Sequence, residues 1–226
     1  MSLPATNDRA DDRHAALANL DLEAFVRTPR VRDPFDFLIV PQFLKPDAQE
    51  AIRAVFPVSA YGGVEPAAAR DTNDALGQML AGFHDPLVTQ LFADKFDVDL
   101  DPAALMITLR SRCRPEDGKI HTDSLSKLVT ALVYLEPEWP APGGRLRFLR
   151  SPDNLDDMLA EAPPMNGTLL AFRRAENSWH GHAPYEGVRR IIMLNWMVSP
   201  AAARRELRRH ALSAGIKRLV PGRARG

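Results

Sequence analysis

Residues 178–198 read SWHGHAPYEGVRRIIMLNWMV and contain two of the short apolar runs on which a fold prediction can be based. Ser178–His182 forms the first run and Arg189–Val198 the second, with a turn that contains Pro and Gly between them. Similar runs lie upstream, at Leu105–Arg110, Lys127–Leu135, Arg145–Leu149 and Gly167–Phe172. Clusters of Pro, Gly, Asp and Asn separate these runs. Many short strands with such turns predict an antiparallel sandwich or barrel rather than a parallel α/β sheet.

The segments on either side of this β-rich part have helical patterns. Ala15–Val26 has apolar residues at helical spacing, and Asp71 to about Phe92 follows a 3.6-residue period. Pro46 is tolerated in the first turn of a helix predicted to run to about Val55, after a short strand at Phe35–Val40. The predicted class is therefore mainly β with flanking helices, an α+β fold.

The pattern also predicts how the chain is divided. Residues 1–13 are expected to be a disordered polar lead. Residues 14–199 form one domain with a helical N-terminal part and a β core at about 104–198. Residues 200–226 form a basic helix and tail, in which helix is expected from Ala201 to about Ile216.

Composition limits the function classes. The chain has 226 residues, enough for one domain with a substantial core. Its 29 Lys and Arg balance its 29 Asp and Glu, so net charge gives no argument for nucleic acid or membrane binding. Cys113 is the single cysteine, so an intrachain disulfide is excluded and a reducing compartment fits. With no signal-like start and no long apolar run, we expect a cytoplasmic protein.

The sequence His121-Thr122-Asp123 is a candidate for metal binding. On an extended segment, side chains two apart point the same way, so His121 and Asp123 can reach one ion. His180 and His182 both lie on a later strand, and either can supply a third ligand. Two histidines and one carboxylate leave coordination positions open on an iron ion.

Arg190 begins the apolar strand Arg190–Trp196. Period two places it on one face with Ile192, Leu194 and Trp196. A buried guanidinium without a partner is costly, so Arg190 is expected to lie at a barrel rim or to bind an anion. A dicarboxylate would suit, because guanidinium and carboxylate form two parallel hydrogen bonds.

These motifs in this order resemble the Fe(II)/2-oxoglutarate dioxygenases, and most closely the prolyl 4-hydroxylase-like branch. The resemblance covers roughly residues 104–198 and implies a double-stranded β-helix core of the jelly-roll or cupin-like type. It is carried by Ile120–Asp123, Leu132–Trp139, Gly143–Phe148, Gly167–Phe172 and the segment from Ser178 through Arg190 to Trp196. The ten-residue spacing to Arg190 favours His180 over His182 as the third ligand.

The resemblance implies a site and a chemistry. Iron would bind His121, Asp123 and His180, while Arg190 and Tyr134 would hold the distal carboxylate of 2-oxoglutarate and Leu132 would line the pocket. Dioxygen would be the second cosubstrate, and a role for ascorbate is allowed. The implied reaction is hydroxylation of an unidentified peptidyl or small-molecule substrate.

The chain departs from the family pattern at Arg112 and Arg145, which together with His182 are candidate substrate-side residues. Two other functions remain open: a cupin-like metal enzyme that does not use 2-oxoglutarate, and an inactive barrel that acts as a binding module. The basic C-terminal segment either packs an apolar stripe on the domain or contacts an anionic surface.

Overall fold

The computed structural model describes residues 16–59, 63–67 and 74–219. The predicted disordered lead lies outside the described residues, as does the end of the basic tail from residue 220. The helices described are α1 (Leu22–Arg27), α2 (Pro46–Val55), α3 (Ala75–Phe83), α4 (Pro86–Phe96) and α5 (Pro200–Leu219). The strands are β1 (Phe37–Val40), β2 (Glu65–Pro66), β3 (Leu105–Cys113), β4 (Lys127–Tyr134), β5 (Leu146–Leu149), β6 (Met158–Ala162), β7 (Leu169–Arg173), β8 (His180–Gly181) and β9 (Gly187–Met197).

The strands form two antiparallel sheets. One has the order β1-β7-β4-β9-β3-β2 and the other the order β6-β5-β8. The sheets pack against each other through an aromatic core in which Phe148 of the small sheet contacts Phe37 and Phe172 of the large one, with ring centroids 4.5 Å and 5.5 Å apart. This arrangement confirms the predicted mainly β class with flanking helices.

The other face of the large sheet packs against the helices. Ile192, Leu194 and Trp196 of β9 are fully buried in the hydrophobic core between the large sheet and the helices. The Trp196 ring lies 4.5 Å from the Phe92 ring of α4, and its Nε1 donates to Thr89 Oγ1 at 3.1 Å. The large sheet therefore separates a helix-side core from the space between the sheets.

The predicted helix from Asp71 to about Phe92 is two helices where the structure describes it. The break falls at Asp85 and Pro86, between α3 and α4. Proline has no N–H to continue the hydrogen-bond ladder but fits the first turn of a new helix. The Asp85 carboxylate caps that turn by accepting from Leu87 N at 2.9 Å.

Helix α5 packs its small residues on the sheet and exposes its arginines. Ala202 and Ala203 are buried against Met106 and Met197. The exposed residues of its first turns include Arg204, Arg205, Arg208 and Arg209. No described helix combines the length and apolar composition that a bilayer span requires.

Candidate metal centre and adjoining cavity

His121 and His180 are brought together by their main chains. They form an isolated antiparallel bridge in which each backbone N–H donates to the other carbonyl at 3.0 Å, and their rings lie 4.3 Å apart. Glycines permit this close approach. A Cβ on Gly181 would lie 2.9 Å from Gly118 O, and one on Gly118 would lie 2.3 Å from His182 O. Gly118, three residues before His121, and Gly181, directly after His180, therefore allow a backbone approach that a larger residue would prevent.

Asp123 completes the group that the sequence predicts. Ligand atoms of His121, Asp123 and His180 all lie within 4.8 Å of one another. His121 is exposed, whereas Asp123 and His180 are buried. Two imidazoles and one carboxylate that converge in this way are a donor set suited to Fe(II).

Hydrogen bonds orient both imidazoles. His121 Nδ1 lies 2.9 Å from Lys119 O, and His180 Nδ1 lies 2.9 Å from Ser178 O. A carbonyl oxygen only accepts, so each Nδ1 carries a proton, and the neutral form of such a ring has its free lone pair on Nε2. Burial lowers the pKa of His180 to about 4, so this imidazole is neutral at pH 7.

The Asp123 carboxylate is buried but ionised. Its Oδ1 accepts from Lys127 Nζ at 2.8 Å, and its Oδ2 accepts from Thr130 Oγ1 at 2.5 Å. Burial alone would raise the pKa of this carboxyl, but the charge of Lys127, the neighbouring His180 and the two hydrogen bonds together lower it. The carboxylate is therefore in the form that binds a cation.

A cavity of about 130 Å³ adjoins this group. It is smaller than the roughly 300–1,000 Å³ of pockets for drug-sized ligands, so it suits a compound of a few carbons. Its walls are apolar where the two sheets face each other, and the apolar lining residues are Leu132, Leu146, Phe172, Ile191 and Met193.

Arg189 lines the same cavity, and the prediction for Arg190 needs correction. Arg189 is 3% exposed, and no described acidic residue forms a salt bridge with it. Arg190 instead forms an ion pair with Glu136 at 3.0 Å, and it does not line the cavity. Period two is the physical reason, because Arg190 shares its face of β9 with Trp196 and that face packs against the helices.

The Arg189 guanidinium is held by Tyr134. Its Nη2 donates to the Tyr134 hydroxyl at 3.2 Å, and its Cζ lies 5.2 Å from the centre of that ring. Tyr134 is fully buried behind Arg189 and does not itself line the cavity, whereas the predicted Leu132 does. Tyr134 lies four residues beyond Thr130 on β4, which is about 13 Å along the strand.

The three predicted substrate-side residues are separated by the structure. His182 is 4% exposed and lines the cavity, with its Nε2 3.8 Å from Cys113 Sγ. Burial lowers the pKa of His182 to about 4. Arg145 donates to Trp139 O at 2.9 Å, and Arg112 is half-buried at the end of β3. Neither of these arginines lines the cavity.

Sequence reasoning missed Arg110. This residue lines the cavity and pairs with Asp117 at 3.2 Å. Its signal is period two on β3, where Ile107 and Leu109 belong to the helix-side core and Arg110 therefore faces the other way.

Residues 110–198 match the model of the 2OG-Fe(II) oxygenase superfamily. A prolyl-4-hydroxylase from Pseudomonas putida has a similar structure, with a TM-score of 0.53 and 17% identity over 80% of this chain and 98% of that one. A prolyl 4-hydroxylase from Phytophthora capsici gives 0.55 and 17% over 82% and 64% of the two chains. Among curated proteins, none matches this sequence.

Proposed function

We propose that this chain, whose residues 110–198 match the model of the 2OG-Fe(II) oxygenase superfamily, is an Fe(II)-dependent dioxygenase. It would couple oxidative decarboxylation of 2-oxoglutarate to hydroxylation of an organic or peptidyl substrate. One observation supports the proposal above all others. A single cavity is lined both by the group His121, Asp123 and His180 and by Arg189, a buried cation for which no described acid provides a partner.

The proposed metal ligands are His121 and His180 through Nε2 and Asp123 through a carboxylate oxygen. The hydrogen bonds from each Nδ1 to a main-chain carbonyl would hold the rings in that orientation. Iron and 2-oxoglutarate would supply the oxidising chemistry, in which dioxygen, 2-oxoglutarate and a substrate C–H bond give succinate, carbon dioxide and a hydroxylated product.

The proposed role of Arg189 is to bind the distal carboxylate of the cosubstrate. A charged donor that is already desolvated loses little on binding an anion, because most of its hydration has been removed by folding. The Tyr134 hydroxyl accepts a hydrogen bond from Arg189, which holds the guanidinium in place and leaves the hydroxyl proton free to donate.

The remaining walls have two proposed tasks. The apolar residues Leu132, Ile191 and Met193 keep bulk water out of the space between metal and arginine. His182 and Arg110 line the cavity outside both the metal group and the Arg189–Tyr134 pair, so we assign them to the substrate side.

The test is a crystal of the full-length chain soaked with Mn²⁺ and N-oxalylglycine. We expect an anomalous peak between His121, Asp123 and His180, and the distal carboxylate of the ligand on Arg189. In solution, the wild-type protein should form succinate from 2-oxoglutarate only when Fe(II) is present.

The matched variants for the metal are His180→Ala and His182→Ala. The first should abolish Mn²⁺ binding measured by calorimetry, and the second should preserve it. Metal bound through His182, or a ligand carboxylate seated on Arg190, would contradict the proposal.

A further inference from the structure

A chain of buried polar side chains leads away from Asp123. Thr130 Oγ1 lies 2.5 Å from Asp123 Oδ2 and 3.1 Å from Asn195 Oδ1. Asp123, Thr130 and Asn195 are 8%, 4% and 1% exposed. Thr130 and Asn195 are direct partners in the register of β4 and β9, so the sheet itself places them side by side.

Proton counting fixes the direction of these hydrogen bonds. The Thr130 hydroxyl has one proton, and the ionised carboxylate of Asp123, at the shorter distance, can only accept it. Thr130 Oγ1 then has only lone pairs to offer Asn195, and two oxygens with no proton between them repel. With its oxygen toward Thr130, Asn195 also leaves Nδ2 buried without a hydrogen-bond partner among the described residues.

A half-turn of the Asn195 amide group removes the repulsion and gives Nδ2 a partner. Amide oxygen and nitrogen have nearly the same shape, so the hydrogen-bond network decides their placement. With Nδ2 toward Thr130, Asn195 donates to Thr130 Oγ1 and Thr130 donates to Asp123 Oδ2. Each bond polarises the next, because the donors point in one direction in a buried setting.

We infer that Thr130 and Asn195 are positioning residues that orient the Asp123 carboxylate for a metal ion, an inference that rests on the proposed function. Oδ2 is held by Thr130, and Oδ1 accepts from Lys127. A carboxylate oxygen that accepts one hydrogen bond keeps a second lone pair, so the carboxylate can still bind an ion. Partners of this kind fix a ligand's plane and raise metal affinity.

The experiment titrates the metal-free, full-length protein with Co²⁺ and follows the visible absorption of the bound ion. Thr130→Val keeps the side-chain volume and should weaken Co²⁺ binding about 10- to 100-fold, the range found for lost partners of metal ligands. Thr130→Ser restores the hydroxyl and should bind as the wild type does. Asn195→Leu, or Asn195→Ala if the former does not fold, should weaken binding by about 10-fold.

Thr108→Val is the matched control. Thr108 is a fully buried threonine on β3, the strand that pairs with β9, and its hydroxyl has no partner among the described residues. Its loss should leave the Co²⁺ affinity and the absorption bands unchanged. Thermal unfolding of each metal-free variant separates lost affinity from lost folding.

A double-mutant cycle decides whether Asn195 acts through Thr130. If it does, Thr130→Val combined with Asn195→Leu should bind Co²⁺ no more weakly than Thr130→Val alone. Losses that multiply, or single variants that bind like the wild type, would overturn the inference. Wild-type protein that fails to bind Co²⁺ would instead count against the proposed function, so the two failures are distinct.

Discussion

The two faces of strand β9 have different tasks although their residues alternate along the same eleven positions. The helix-side face carries Ile192, Leu194 and Trp196, all 0% exposed in the core. The cavity-side face carries Arg189, Ile191, Met193 and Asn195, a mixture of charged, apolar and amide side chains. The comparison shows that one strand can supply stability on one side and binding groups on the other, and that a shift by a single residue exchanges the two.

The largest expected effect tests the helix-side face. Trp196→Ala should lower the free energy of unfolding by about 3–5 kcal/mol, because it leaves a cavity against Phe92. Urea unfolding measures this loss. Protein that remains folded should keep the Co²⁺ affinity of the wild type. A parallel loss of metal affinity would show that the two faces are not independent.

The second prediction concerns the pH dependence of stability that arises from His182, which lines the cavity. Burial lowers the pKa of His182 from 6.5 to about 4, so between these values the unfolded chain binds more protons than the folded one. The contribution of His182 to stability should therefore be constant above about pH 6.5 and fall as the pH drops toward 4, by roughly 3 kcal/mol. Urea unfolding of the metal-free protein at several pH values measures this change in the free energy of unfolding.

His182→Gln should reduce this slope, because glutamine does not titrate. Leu194→Ala on the helix-side face should lower stability equally at every pH and leave the slope as it is. A slope that His182→Gln does not change would assign the pH dependence to other groups.

The smallest expected effect concerns Arg189 and Arg190, two neighbouring arginines that lie on opposite faces of β9. Arg189→Ala should weaken 2-oxoglutarate binding to the Mn²⁺-loaded protein about 10- to 150-fold, which corresponds to the 1.5–3 kcal/mol of hydrogen bonds to charged groups. Arg190→Ala should leave that affinity unchanged and lower stability by about 1 kcal/mol, because Glu136 loses its ion pair at 3.0 Å but keeps its hydrogen bond from the backbone N of residue 190. Calorimetry measures both affinities, and the opposite pattern would contradict the assignment of Arg189.

Local patterns were sufficient for much of the fold and the site. Period two relates His121 to Asp123, and turn residues mark most strands of the core, so both could be predicted from neighbouring residues. The structure brings His121, Asp123 and His180 together as the sequence predicts. Whether they hold iron stays a prediction for the soaked crystal.

Features set by distant contacts could not be predicted in this way. The structure has the predicted alternation of side chains along β9. Which of Arg189 and Arg190 faces the cavity depends on which face of the sheet the helices cover. Strand β6, Met158–Ala162, lies in a segment without a readable motif and forms through its pairing with β5. The hydrogen bond from Arg145 to Trp139 O likewise depends on the conformation of the intervening turn, which local sequence patterns do not predict.

The main-chain bridge between His121 and His180 has a consequence for metal exchange. Because paired peptide groups set the separation of these two imidazoles, the proposed metal site should keep the same spacing with and without an ion. A chelator should then remove a bound metal ion from the folded protein, and the protein should rebind the metal without refolding. Such a centre can be reloaded in place, which would let the cellular supply of iron, rather than synthesis of new chains, set how much of the protein is active.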